Sequence, residues 1–100
     1  MQTGTTYTPV LADKDRPTIL TNASAITLTI PTNANVAYPI NTVLTFAQGG
    51  AGAVTIAPAS GVTINKNAKF TLVSDGQYAL FTLTKTASDT WILAGQMVAA

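Results

Sequence analysis

The sequence predicts an all-β fold, a compact antiparallel β-sandwich or barrel of about eight to nine short strands. Three observations carry that prediction. Apolar and polar residues alternate with period two: in Ile26-Thr27-Leu28-Thr29-Ile30 the aliphatic side chains share one face and the threonines the other. Turn-forming clusters interrupt this alternation at a spacing of roughly 8 to 12 residues. Helical periodicity is missing throughout. Connections this short favour antiparallel neighbours, since a parallel crossover takes about a dozen residues or more.

The elements follow in order. Thr6 to Leu11 and Thr18 to Thr21 read as weaker strands, and Ile26 to Ile30 as a strong one closed by Pro31, which has no N–H for the ladder. Val43-Leu44-Thr45-Phe46, Val54-Thr55-Ile56, Val62-Thr63-Ile64, Phe70 to Val73, Tyr78 to Thr84 and Trp91-Ile92-Leu93 repeat the pattern. Between them lie Asp13-Lys14-Asp15, Thr32 to Asn35, Gly49 to Gly52, Ser60-Gly61, Asn65-Lys66-Asn67, Ser74-Asp75-Gly76 and Ala87-Ser88-Asp89, all turn chemistry. No repeat of solenoid period stands out. The expected organisation is an N-terminal arm and possible anchor over residues 1–12, polar and loosely patterned, and a single all-β domain over 13–100.

Charge is scarce. Only 9% of the 100 residues are Asp, Glu, Lys or Arg, against about 25% in an ordinary domain, and Glu, His and Cys are absent. A net charge of +1 offers no footprint for nucleic acid, and Lys66 and Lys69 read as solvated turn charges. Without cysteine there is no disulfide, thiolate nucleophile or thiolate metal site. No signal peptide is read in Met1-Gln2-Thr3-Gly4-Thr5, and no apolar run reaches the roughly 18 residues that span a bilayer. So neutral a surface suggests that part of it is covered by copies of the chain or by a partner.

The glycine-rich stretch 47–64, AQGGAGAVTIAPASGVTI, is not read as a phosphate loop. No helix and no Lys-Ser/Thr pair follow it. It is expected to be a β-turn between antiparallel strands, with Gly49, Gly50 and Gly52 at positive φ. General acid-base chemistry has only Asp13, Asp15, Asp75 and Asp89 to draw on, all in turns. The Asp13/Asp15 spacing suits an oxygen-ligated metal but reads better as a solvated loop. Ser24, Ser60, Ser74 and Ser88 lack a histidine base and read as turn residues. No catalytic, cofactor or metal residue is therefore assigned, and no enzyme is expected. Trp91, Phe46, Phe70 and Phe81 are expected in the core. Among Tyr7, Tyr38, Tyr78 and Trp91, the best candidate for an exposed face is Tyr38, beside Pro39.

The order of elements resembles a β-rich structural module of tailed bacteriophage and prophage virion proteins, of capsid decoration or tail-fibre type. The resemblance rests on Thr29-Ile30-Pro31, Val36-Ala37-Tyr38-Pro39, Gly50-Ala51-Gly52, Val54-Thr55-Ile56, Gly61 to Asn65, Gln77 to Leu80 and Asp89 to Gly95, with a lead-in at residues 11–25. It implies a non-enzymatic virion component, made in the host cytoplasm and bound to itself as a homotrimer and to a capsid or other virion protein. A chain of 100 residues beginning at Met1 favours a capsid decoration protein, with a tail-fibre, spike or baseplate segment as the alternative. A second alternative is a carbohydrate-binding module stacking a sugar on Tyr38 or Trp91. No nucleic acid or membrane partner is implied.

Overall fold

In a computed structural model that describes residues 2–100, apart from the side chain of Asp15, the alternation is realised as ten strands and one short 3-10 turn. The strands are β1 (Thr6–Tyr7), β2 (Thr18–Leu20), β3 (Ile26–Ile30), β4 (Val43–Gln48), β5 (Val54–Pro58), β6 (Thr63–Lys66), β7 (Phe70–Ser74), β8 (Leu80–Ala87), β9 (Thr90–Gly95) and β10 (Met97–Ala99). The 3-10 turn, Leu11–Asp15, replaces the end of the first expected strand. Strand β10 was not anticipated. The strands form two five-stranded sheets, in the orders β1-β3-β5-β7-β10 and β2-β4-β8-β9-β6.

The all-β sandwich is as expected, but its sheets are mixed rather than antiparallel. Pairs β1/β3, β3/β5, β2/β4 and β6/β9 run parallel. Pairs β4/β8, β8/β9, β5/β7 and β7/β10 run antiparallel. The chain evades the length needed for a parallel crossover by using the opposite sheet as its return path: β4, on the far side, connects the parallel neighbours β3 and β5.

The same register runs through both sheets. Thr18 pairs with Phe46 and Leu20 with Gln48, while Ile26 pairs with Val54 and Ile30 with Pro58. Residues 18–30 and 46–58 are thus two stacked rungs at one constant offset, and the sequences echo each other (Ala25-Ile26-Thr27-Leu28 against Ala53-Val54-Thr55-Ile56).

The glycine stretch belongs to this stack. It is a passage from one sheet to the other, not a hairpin, and Gly49, Gly50 and Gly52 are not among the positive-φ residues, which include Gly61, Gly76 and Gly95. Their role is close approach. A Cβ would lie 2.8 Å from Ile19 Cγ2 at Gly49, 2.8 Å from the Asn22 carbonyl oxygen at Gly50 and 1.9 Å from the Ser24 carbonyl oxygen at Gly52. Backbone bonds continue around the corner, Gly49 N–H to Leu20 O (2.7 Å), Gly52 N–H to Asn22 O (2.8 Å) and Ile26 N–H to Ala53 O (2.9 Å).

The segment expected as an arm joins the sandwich within the chain. Gln2 bridges Leu20, Thr6 pairs with Thr27, and Pro9 is buried. The core takes Leu20, Ile26, Leu28, Ile30, Leu44, Phe46, Val54, Ile56, Phe81, Leu83, Trp91 and Leu93 from both sheets. Each such side chain contributes about 1.5–3 kcal/mol on burial. Phe46 and Phe81 are register partners with stacked rings 5.6 Å apart. Phe70, expected inside, is 38% exposed because β7 is buried only toward its Ser74 end.

Gly52→Ala tests the stacked rungs. Its methyl has backbone in its way, so the substitution is expected to cost about 3 kcal/mol or more, against about 1 kcal/mol for Gly61→Ala, where only backbone conformation is at stake. Urea unfolding followed by Trp91 fluorescence reads both. Equal costs would mean that the rungs do not depend on contact at residue 52.

Candidate functional site

Of the carboxylates weighed as acid-base or metal groups, the three whose side chains are described, Asp13, Asp75 and Asp89, sit in separate connections between strands. Asp13 is buried (3% exposed) rather than solvated. It accepts a hydrogen bond from the Tyr7 hydroxyl and one from the Val10 N–H (3.0 Å), with Arg16 Nε at 3.9 Å. It therefore pins the 3-10 turn to β1. Asp89, at φ 58 in the turn between β8 and β9, accepts the Asn33 N–H at 2.6 Å. Asp75 is exposed, and its N–H donates to Gln96 O. The side chain of Asp15 lies outside the described residues, so the Asp13/Asp15 spacing has no geometry here. Among the described residues no group of three metal-ligating side chains converges.

Ser74, read as a turn residue, is buried at the end of β7. Its hydroxyl donates to Gln48 Oε1 and accepts the Val54 N–H (2.8 Å), while Gln48 Nε2 donates to Gly50 O (3.0 Å). This chain of bonds stitches the two sheets beneath the glycine passage.

The aromatic residues are arranged against the sugar-stacking reading. Tyr38, expected exposed, is 3% exposed. Its hydroxyl donates to the Val10 carbonyl (2.6 Å) and its ring meets Trp91 edge-on at 5.6 Å. Trp91 is in the core, as expected, at 1% exposure. Both faces proposed for a sugar are therefore inside. Tyr78 is the exposed one, at 75%, and is held at φ 69 by its N–H bond to Gln48 O.

Lys85 was missed altogether. The strand expected over Tyr78 to Thr84 runs on to Ala87, and continuing the alternation Phe81, Leu83, Lys85 would have placed the lysine inward. It is 2% exposed, with Nζ donating to Asn33 Oδ1 (2.6 Å) and to the Tyr38 carbonyl (2.7 Å), 5.9 Å from the centre of the Trp91 ring.

The solvent face of the β2-β4-β8-β9-β6 sheet is an extended surface of a different kind. Strand register lays its outward residues in three rows: Ile19–Ala47–Leu80, Thr45–Thr82–Ala94, and Val43–Thr84–Ile92–Asn65. Ile19, Val43, Leu80 and Ile92 are 39–53% exposed, and no row carries a charge. At one corner Ile19, Ala47, Leu80 and Tyr78 border a groove of about 390 Å³. On the other side of Tyr78, Asp75, Gln77 and Gln96 border a polar hollow of about 310 Å³. A neutral sheet face edged by an exposed tyrosine offers contact area and an aromatic anchor, the ingredients of a protein interface. No family model, curated protein or solved structure matches the chain.

Burial, then the hydrogen bond to Asp13 and the charge of that carboxylate, push the Tyr7 phenol up to about 12 from 10.0. Burial first, then the charges of Asp13 and Tyr7, push the Tyr38 phenol up as well. Both native phenols hold protons that the unfolded chain releases near pH 10. Their contribution to stability is therefore full below that pH; the part due to Tyr7 is lost as pH rises through about 12, and the part due to Tyr38 as its own raised value is passed. Tyrosinate absorbance against pH is expected to show Tyr7 and Tyr38 titrating well above 10, with unfolding as they ionise. Asp13→Asn is expected to lower the Tyr7 value. Titration of all the tyrosines together near 10 would contradict the arrangement.

Proposed function

We propose that this chain is a non-enzymatic structural protein of a tailed-phage virion, a capsid decoration protein that acts as a homotrimer on the shell. The observation that carries the reading is the uncharged outer face of the β2-β4-β8-β9-β6 sheet. When copies of one chain meet, a charge near the symmetry axis faces its own image, and such like-charge contacts cost several kcal/mol. A face with no charge in any of its three rows avoids that cost. Its four exposed aliphatic residues supply apolar area to bury, and Tyr78 supplies an anchor at the corner. The order of sequence elements supports the virion setting, where several modest contacts engage together and gain avidity from multiplicity. The scarcity of surface charge fits a protein that works at high local concentration among its own copies.

Light scattering over a range of concentrations is the test. A trimer is expected, and Leu80→Lys or Ile92→Lys is expected to weaken it at least tenfold, about 1.4 kcal/mol, with the β circular-dichroism signal retained. Co-sedimentation with shells of the phage or prophage that encodes the chain is expected for the wild type and reduced for both variants. A wild-type protein that stays monomeric and leaves the shells bare overturns the proposal.

A further inference from the structure

Lys85 poses a problem that the structural role leaves unanswered. Lysine is almost never fully buried unless its charge is paired, because removing an ammonium from water is costly. Here Nζ meets, among the described residues, two neutral oxygens and the Trp91 ring, and no carboxylate. One of those oxygens belongs to a primary amide, Asn33 Oδ1, at 2.6 Å. The amide carbon is one bond further on. Asn33 is itself held: its N–H donates to Asp89 Oδ1 at 2.6 Å, and the 32–36 turn around it is closed by bonds from Asn35 and Val36 N–H to Thr32 O. Lys85 is held by β8, paired with Trp91 on β9, and by its second bond to Tyr38 O. Nucleophile and electrophile are thus fixed side by side, the lysine buried and the asparagine partly so, and such fixed proximity is the condition under which an otherwise slow intramolecular reaction becomes fast.

We infer that Lys85 and Asn33 form a spontaneous intramolecular isopeptide bond. After losing a proton, Nζ attacks Asn33 Cγ, and the bond from Cγ to the amide nitrogen breaks. The departing nitrogen takes up protons released from Nζ and leaves as an ammonium ion. An ammonium side chain and a primary amide become a secondary amide and free ammonium, so atoms and charge balance and no oxidant, reductant or cofactor is needed. The product removes the charge from the core while leaving a carbonyl and an N–H to hydrogen-bond. It also ties the loop after β3 to β8 across a separation of 52 residues, so that the segment between them, including the whole of β4 to β7, is closed into a covalent ring. Asp89 is a positioning residue, acting on Asn33 through its backbone. The inference does not depend on the oligomeric role proposed above.

Intact-mass measurement of the purified full-length protein decides it. The expected mass falls short of the sequence mass by one ammonia, and trypsin no longer cuts after Lys85. The peptides carrying Asn33 and Lys85 then travel as one species, with fragment ions placing the link between these two residues. Asn33→Ala and Lys85→Arg are each expected to restore the full sequence mass, and Lys85→Arg keeps a long cation at the site should the alanine variant fold poorly. A wild-type protein of full sequence mass overturns the inference. So does an ammonia deficit confined to a single peptide, which would mark cyclisation of an N-terminal glutamine or of an asparagine with its own backbone.

Discussion

The structure depends on one close approach of backbone to backbone. Where the chain crosses from β4 to β5 it lies directly on the crossing from β2 to β3, with Gly50 and Gly52 against the Asn22 and Ser24 carbonyls. That contact holds the two rungs at a single offset, so β2/β4 and β3/β5 are parallel and in register at once. A side chain at Gly52 would force the corner apart and disturb both sheets. The buried Gln48–Ser74 bond locks the same corner from beneath and joins β4 to β7, which lie in different sheets.

The polar groups inside the sandwich share a task. Asp13, Gln48, Ser74 and Lys85 are all buried, and each bonds to an irregular part of the chain or to a strand end: the 3-10 turn, the glycine passage, the start of β5 and the 32–42 loop. Loops between sheets leave backbone donors and acceptors without ladder partners, and a buried unpaired group costs about 1–3 kcal/mol. These side chains satisfy such groups. These four side chains are consumed in this way and so add nothing to the solvent face, whose outward rows hold mainly Thr, Ala and aliphatic residues. The neutral face and the polar interior are two sides of one distribution.

Much of the fold was legible one strand at a time. Period two identified the inward residues of β3, β4, β5, β8 and β9, and the cluster of Trp91, Phe46 and Phe81 followed from it. Tyr38 and Phe70 went the other way. Nothing local tells that a tyrosine before a proline will be covered by Trp91, or that a phenylalanine will begin the exposed end of a strand buried only at its other end. Of the candidate site, the shortage of charge was visible in composition, but the assembly of Ile19, Leu80 and Ile92 on one face needed the register of four strands. Lys85 was hidden for a simpler reason. Lysine is ordinarily exposed, and a single inward lysine at the end of an alternating strand looks like the strand's end.

By itself the sequence determined the class, the strand faces and the poverty of charge, because each follows from residues within a few positions of one another. Only the tertiary structure decided the pairing directions, the function of the glycines and the meeting of Lys85 with Asn33. Those depend on which distant segment lies alongside. Short connections suggested antiparallel neighbours, yet the chain returned through the opposite sheet and made four pairs parallel. The glycines likewise served steric contact with residues 22–24 rather than positive φ, a requirement set by a rung some 28 residues earlier.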